Sequence, residues 1–123
     1  MMIILHTLKK SDWERCKNDK SYGRYSLEQC GFIHCSDVKD VVDVANTHFI
    51  GLGPVVLLCI EPSKVTAQIK WEDLKNRGTK FPHIYGELNL DAVIDVLDFP
   101  TNDDGTFILP HELEKYIGEE HNS

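Results

Sequence analysis

The sequence predicts an α+β domain in which a small mixed sheet carries helices after its first two strands. Two observations lead to this prediction. Helical patterns are gathered early in the chain and strand-like runs late, and the run 54–61 is apolar on both faces, as in a central strand. The 123 residues, 41% of them apolar, suffice for one core. We expect a single domain over residues 1–110, followed by a C-terminal helix and tail over 111–123.

Apolar or alternating runs predict the strands of this domain. These runs cover residues 2–7, 32–35, 54–61, 67–71, 82–86 and 91–99. The polar segment 73–80 between two of them predicts a mobile loop, which is a candidate lid.

Capping residues and apolar spacing predict the helices. Ser11 and Glu14 have the spacing of a capping box at the start of a helix over 12–19. Ser36 is expected to cap a second helix, whose apolar residues recur at helical spacing as far as Phe49. A third helix is expected at the C-terminus, over 110–117.

Composition excludes several functional classes. A formal charge of −7 and a pI near 5.2 argue against bulk DNA binding, which normally needs a basic stripe. The four cysteines show no CxxC spacing, so we expect no metal site built on them. The N-terminal apolar run is too short for a signal peptide and no run reaches membrane-spanning length. We therefore expect a soluble cytoplasmic protein, while the sequence leaves its oligomeric state open.

Three histidines at strand-like sites carry the strongest chemical signal. His34 lies in the string Gly-Phe-Ile-His-Cys-Ser at 31–36, His83 lies in Phe-Pro-His-Ile-Tyr-Gly at 81–86, and His6 follows the first apolar run. Strand ends present side chains to clefts, and imidazole exchanges protons near neutral pH. We predict that these three histidines are the catalytic residues of one cleft. A zinc site made of the same three imidazoles is an alternative, but no HxH or HExxH spacing supports it.

Strand alternation places aromatic side chains beside two of these histidines. Phe32 and His34 share one face with Ser36, and His83 shares a face with Tyr85. An aromatic wall beside imidazoles suits a flat ring such as a nucleobase or nicotinamide. The alternative is that the histidines are core residues, each hydrogen-bonded to the backbone.

Further polar residues are weaker candidates. Arg24 is a candidate phosphate ligand or a solvated side chain, and Asn46 either reaches a ligand or caps a loop. Glu72, beside the polar loop, is either a general base or a surface carboxylate. The predicted ligand-binding residues are thus Thr7, Arg24, Phe32, Ser36, Asn46 and Tyr85.

At the level of motifs, the chain resembles the uncharacterised family called domain of unknown function 952. The resemblance spans about residues 2–110, and the strings at 31–36 and 81–86 carry most of its specificity. The other matching residues are His6-Thr7, Trp13, Ser26-Leu27, Val44-Ala45-Asn46, Phe49, Leu57-Leu58 and Ala92-Val93. This family name implies no activity.

The order of elements is also similar, more distantly, to the ADP-ribosyltransferase superfamily. That resemblance implies an ADP-ribosyltransferase-like architecture, with NAD or ADP-ribose as substrate. It implies that His6 and the following Thr7 bind the ribose, and that Phe32 or His34 lines the nicotinamide pocket. His83 stands near the position of the superfamily's glutamate, and no carboxylate occupies 81–86. In this respect the chain resembles the RNA 2′-phosphotransferases, which suits recognition of phosphate or ADP-ribose.

We therefore expect a protein that binds NAD, ADP-ribose or a phosphorylated nucleotide in a histidine-lined cleft. ADP-ribosyl or phosphoryl transfer would follow if the protein is an enzyme. A non-enzymatic nucleotide sensor is one alternative. A two-histidine phosphodiester hydrolase is another, because His34-Cys35-Ser36 fits half of an H-x-[ST] signature whose second copy is missing at His83.

Overall fold

A computed structural model describes residues 2–116. It confirms the α+β class, with short helices among small sheets. The strands are β1 (Ile4–Lys9), β2 (Ser21–Tyr22), β3 (Ile33–His34), β4 (Val55–Ile60), β5 (Gln68–Glu72), β6 (Phe81–Tyr85), β7 (Leu88–Asn89) and β8 (Val93–Asp98). The α-helices are α1 (Lys10–Cys16), α2 (Arg24–Cys30) and α3 (Val41–His48), and single 3₁₀ turns cover Pro62–Lys64, Leu90–Ala92 and His111–Leu113.

The strands form three antiparallel sheets, so the expectation of one mixed sheet was wrong. Their orders are β1-β4-β8, β3-β6-β5 and β2-β7. Most paired strands lie far apart in the sequence, and the two strands of each pair run in opposite directions. No pairing between the described strands needs the crossover that a parallel pair requires.

The central strand β4 divides the core into two clusters, as its double-sided apolar sequence predicted. All six of its residues are buried. Leu57 and Cys59 face a cluster that includes Val41 and Ala45 of α3. Leu58 faces a second cluster, which lies under the β3-β6-β5 sheet. The β1-β4-β8 sheet is therefore covered by a helix on one face and by a second sheet on the other.

Backbone hydrogen bonds join the two larger sheets at one point. Leu5 of β1 and Ser36 exchange a pair of them, at N···O distances of 2.7 and 2.8 Å. The next residue back, Cys35, donates to the carbonyl of Pro82 in β6 at 3.1 Å. The segment after β3 thus binds one sheet on each side and holds the cleft walls together.

The prediction that Ser36 caps the second helix was wrong, because its backbone hydrogen bonds to β1 hold it outside that helix. Ser36 is tied to β1 through its backbone, so it lies outside the helix, which begins only at Val41. Asp37 instead closes the intervening turn, where its Oδ1 accepts from the Asp40 amide at 3.1 Å. The apolar spacing located the helix correctly and misplaced its start.

The capping box at Ser11 and Glu14 was also not formed. Helix α1 begins at Lys10, directly after β1, and its N-cap residue Lys9 makes no side-chain cap hydrogen bond. Glu14 pairs with Lys17 at 2.6 Å instead. Strand β1 runs on to Lys9, so His6 lies within the strand and not at its end.

The C-terminal segment is described only as far as Tyr116. Residues 111–116 are helical, beginning with the 3₁₀ turn, and Leu113 and Tyr116 pack into the core cluster of α3. Residue 117 of the predicted terminal helix, and the tail 118–123, lie outside the described residues. Within residues 2–116, no helix combines the length and apolar character needed to cross a lipid bilayer.

Two glycines flank α2 and give a matched test of packing at β3. Both have positive φ, 106° at Gly23 and 85° at Gly31. A Cβ at Gly23 would lie 2.7 Å from Cγ1 of the buried Ile33 and closer still to its Cδ1, whereas a Cβ at Gly31 would meet nothing. We predict that Gly31→Ala lowers the free energy of unfolding by about 1 kcal/mol and Gly23→Ala by about 2–4 kcal/mol, because only the second adds overpacking to backbone strain.

Urea-induced unfolding of both variants measures this difference. Equal losses would contradict the tight approach of residue 23 to β3.

Candidate functional site

A cleft of about 710 Å³ opens where β1, β3 and β6 meet α3 and the loop after β5. This volume is in the range of small-molecule sites, roughly 300–1,000 Å³. All three predicted histidines line it, so they share one cleft. The predicted residues that line the cleft are His6, Thr7, Phe32, His34, Ser36 and His83.

His34 and His83 lie directly opposite each other on paired strands. They are register partners in β3 and β6, and their ring centroids are 5.7 Å apart with the rings nearly perpendicular. Phe32 contacts both rings. It stacks on His83 at 4.1 Å and meets the edge of His34 at 4.7 Å, so Phe32 and His34 share a face as predicted.

His6 is held from two sides by other parts of the protein. Its Nδ1 lies 2.6 Å from the carbonyl oxygen of His34, and its Nε2 lies 2.8 Å from the hydroxyl of Tyr22. A carbonyl only accepts, so Nδ1 carries the proton and Nε2 accepts from Tyr22. Burial lowers the pKa of His6 to about 4, which keeps the ring neutral. His6 therefore matches the core-histidine alternative, and it has no free ring nitrogen for a ribose.

His34 differs from His6 because its ring is open to solvent. Partial enclosure by the cleft walls lowers its pKa, and the nearby side chains of His83 and Lys75 lower it further. The ring is consequently neutral near pH 7. A neutral, accessible imidazole is suited to accept a proton.

Glu72 joins His83 to Tyr85. Its Oε1 accepts from the Tyr85 hydroxyl at 2.5 Å and lies 3.0 Å from Nδ1 of His83. The hydrogen bond from Tyr85, followed by that from His83, lowers the pKa of this carboxyl. A carboxylate therefore reaches β6 from the neighbouring strand β5, although no carboxylate lies within 81–86 itself.

The loop over residues 73–80 brings cations to the cleft. Lys75 and Arg77 line it, and Lys9 lines it from the end of β1. Asp73 shapes the loop, because its carboxylate accepts from the amides of Arg77 and Gly78 at 2.9 and 2.7 Å. The polar segment predicted as a candidate lid is thus a wall of the cleft in this structure.

Charge pairing leaves these cations available. Within residues 2–116, no carboxylate lies within 4 Å of the charged groups of Lys9, Lys75 or Arg77. The acidic residues of the cleft wall are mostly paired, Asp12 with Arg15 and Asp40 with Lys39. Asp43 and Asp73, also in the wall, are the exceptions, since neither carboxylate makes an ion pair with a described residue.

Three predicted ligand-binding residues lie outside the cleft lining. The side-chain oxygen of Asn46 accepts from the Phe107 amide at 2.8 Å, which is the loop-capping role that the sequence also allowed. The hydroxyl of Tyr85 donates to the carboxylate of Glu72. Arg24 begins α2 and is exposed to solvent. In this structure their side chains support the surroundings of the cleft or face the solvent.

Sequence reasoning missed the partner of His6 and the cationic residues of the cleft. Tyr22 lies in a two-residue strand that has no periodicity to read. Lys75 and Arg77 were part of a polar loop whose side-chain directions no sequence pattern fixes. Within residues 2–116, no cluster of three or more His, Cys, Asp or Glu side chains is placed to hold a metal ion.

The chain matches the model of the family described as Protein of unknown function (DUF952) over residues 7–96. The match includes both histidine strings and most of the cleft wall. The chain belongs to this family. Its name carries no activity, and no curated protein matches the chain.

Solved structures of protein CC0527 from Caulobacter crescentus are similar to this member of the family. Its X-ray structure has a TM-score of 0.76 at 26% identity, covering 94% of this chain and 98% of that one. Its solution NMR structure has a TM-score of 0.73 at 28% identity, covering 94% and 97%. The α+β arrangement described above therefore occurs in an experimentally solved protein.

The buried neutral state of His6 predicts a pH-dependent loss of stability. An unfolded chain takes up a proton on this histidine near pH 6.5, whereas the folded protein does so only near pH 4. The contribution of neutral His6 to the free energy of unfolding is therefore fully present above pH 6.5 and is lost as the pH falls to about 4. At about 1.4 kcal/mol per pH unit, the loss is ~3 kcal/mol.

The substitution His6→Gln tests this assignment. Glutamine retains a donor and an acceptor without titrating, so chemical unfolding of the variant should show a pH dependence smaller by about that ~3 kcal/mol. His111→Gln is the control, because His111 is exposed and lies outside the cleft lining. An unchanged pH dependence in His6→Gln would show that His6 is not buried and neutral.

Proposed function

We propose that this protein binds NAD, ADP-ribose or another phosphorylated nucleotide in the histidine-lined cleft. The proposal rests on one observation: an aromatic–imidazole surface lines the same cleft as cations that have no carboxylate partner among the described residues. ADP-ribosyl or phosphoryl transfer is the activity that such a ligand and two adjacent imidazoles would serve. We include in the proposal the ADP-ribosyltransferase-like architecture that the sequence suggested.

The aromatic–imidazole surface suits the ring of the ligand. The ring centroids of Phe32, His34 and His83 lie within 6 Å of one another. Phe32 and His83 stack on each other and are mostly buried, so His34 offers most of the accessible ring surface. A nucleobase or nicotinamide has its own π-face, and offset or edge contacts with such side chains are favourable. The exposed ring of His34 provides a nitrogen for hydrogen bonding to the ligand.

The cationic part of the cleft suits phosphate. Lys75 lies close enough to His34 to lower the pKa of its imidazole, so ring and phosphate subsites would be adjacent. Arg77 and Lys9 line the same cleft. Because these three cations have no carboxylate partner among the described residues, a phosphate would not have to displace one.

The setting proposed for this function is the cytoplasm, with a small molecule as the partner. All four cysteines are free thiols, as is usual in a reducing compartment. A negatively charged protein whose cleft holds only three cations without a carboxylate partner among the described residues suits a nucleotide better than a nucleic-acid backbone.

The ligand proposal predicts saturable binding that depends on His34. We expect isothermal titration calorimetry with ADP-ribose and NAD to detect binding, and His34→Ala to weaken it about tenfold through the lost hydrogen bond and ring contact. His111→Ala should bind as the wild type does. Absence of binding by the folded wild-type protein would overturn the proposal, and binding without any turnover would favour a sensor.

The phosphate subsite predicts a distinct effect of the loop cations. Lys75→Ala should weaken ADP-ribose binding about tenfold and make it less sensitive to salt, because a charge-assisted contact is removed. Lys80→Ala removes an equal charge from the same loop at an exposed residue outside the cleft lining. Equal effects of the two substitutions would argue against a phosphate bound at Lys75.

A two-histidine phosphodiester hydrolase is the second candidate, favoured by the 5.7 Å separation of the His34 and His83 rings. In hydrolysis of a 2′,3′-cyclic nucleotide, water forms the new bond to phosphorus and one ribose oxygen leaves. One imidazole takes the proton from water while the other gives a proton to the leaving oxygen. The neutral ring of His34 suits the first role.

This second candidate is tested with 2′,3′-cyclic AMP as the probe. Product formation that is lost in His34→Ala and retained in His111→Ala would favour hydrolysis. Absence of product from the wild-type protein would remove this candidate and leave the binding proposal to the calorimetry.

A further inference from the structure

The carboxylate of Glu72 is fixed beside the ring of His83 by the sheet itself. In the antiparallel pair of β5 and β6, Lys70 lies opposite His83 and Glu72 lies opposite Phe81. Glu72 and His83 are thus diagonal neighbours, a relation that lets long side chains meet. Their contact, 3.0 Å from Oε1 to Nδ1, brings the carboxylate to one edge of the imidazole.

The donors and acceptors of this contact define where the proton lies. An ionised carboxylate has no proton to donate, so the hydrogen between Oε1 and Nδ1 belongs to His83. Tyr85 donates its hydroxyl proton to the same oxygen at 2.5 Å. The Glu72 side chain, mostly shielded at 25% exposure, therefore receives two hydrogen bonds on one oxygen and is held in place.

The other ring nitrogen of His83 remains free. Within residues 2–116, Nε2 has no hydrogen-bond partner, yet no polar side-chain atom there is both sealed from solvent and unpartnered. His83 lines the cleft while Phe32 covers a face of its ring. The His83 side chain is only 7% exposed, so Nε2 meets the cleft through a small opening, whereas both nitrogens of His6 are occupied.

We propose that Glu72 is a positioning residue, which holds the proton of His83 on Nδ1 and leaves Nε2 facing the cleft as the atom that exchanges protons with the ligand. The use of this nitrogen by a ligand rests on the proposed function, whereas the position of the proton does not. Tyr85 assists by holding Glu72 ionised and oriented. His34 and His83 are then unequal partners, because only the His83 ring is held by a side-chain hydrogen bond among the described residues.

A purely structural role for Glu72 makes a different prediction. If its hydrogen bonds served only to join β5 to β6, loss of the carboxylate would lower stability without changing the tautomer of His83. The tautomer is therefore the deciding measurement, and it needs no ligand.

The experiment records imidazole nitrogen signals of the ¹⁵N-labelled protein at mildly alkaline pH, with His83 assigned from the missing signals of His83→Gln. We expect the wild type to show a protonated Nδ1 and an unprotonated Nε2. In Glu72→Ala the proton should redistribute towards Nε2, while Glu72→Gln, which keeps an acceptor oxygen, should retain Nδ1–H. Gln68→Ala, on the same strand, controls for weakening of the sheet.

Binding of ADP-ribose to the same variants separates this inference from the proposed function. We expect Glu72→Ala to bind about tenfold more weakly and Glu72→Gln to regain most of that loss, as the tautomer does. A wild-type His83 protonated on Nε2, or an unchanged tautomer in Glu72→Ala, would overturn the positioning role even if ADP-ribose binds. Failure of ADP-ribose to bind, with the tautomer shift as expected, would overturn the nucleotide proposal alone.

Discussion

The site depends on one junction, where the segment after β3 is bound to β1. Leu5 and Ser36 share a pair of backbone hydrogen bonds there, and the ring of His6 donates to the carbonyl of His34. This junction fixes the distance between two sheets that otherwise have separate hydrogen-bond networks. It also uses the backbone of His34 while leaving its side chain free, so that the ring projects into the cleft. A buried, neutral His6 therefore helps to fix the backbone that carries the exposed imidazole of His34.

The three histidines are chemically different because their surroundings differ. Both ring nitrogens of His6 have hydrogen-bond partners in the protein, and so does one ring nitrogen of His83. Neither ring nitrogen of the exposed His34 has a partner among the described residues. Three histidines in such different surroundings suit a binding site. His6 joins two walls of the cleft, His83 is held by a carboxylate, and His34 is available to a ligand. Under the proposed function, the cations of the loop after β5 provide the charge that the ligand's phosphate requires.

The sequence predicted the parts of this account that depend on local periodicity. The double-sided burial of β4, the shared face of Phe32 and His34, and the existence of α3 all follow from side-chain alternation or helical spacing. It mispredicted the role of Ser36, because a distant strand competes for the backbone groups that a helix cap would use. It could not predict the contact of Glu72 with His83, since that contact depends on the register of two strands. The role of Tyr22 was equally hidden, in a strand too short to show a pattern.

A crystal structure of the protein with ADP-ribose tests the account most directly. The account predicts the ligand's ring or ribose against Phe32 and His34, a phosphate at Lys75 or Arg77, and a ligand atom within hydrogen-bond distance of Nε2 of His83. The bonds of His6 to His34 and Tyr22 should persist in that complex. ADP-ribose bound elsewhere on the protein, or bound through a His6 that has left both partners, would contradict it.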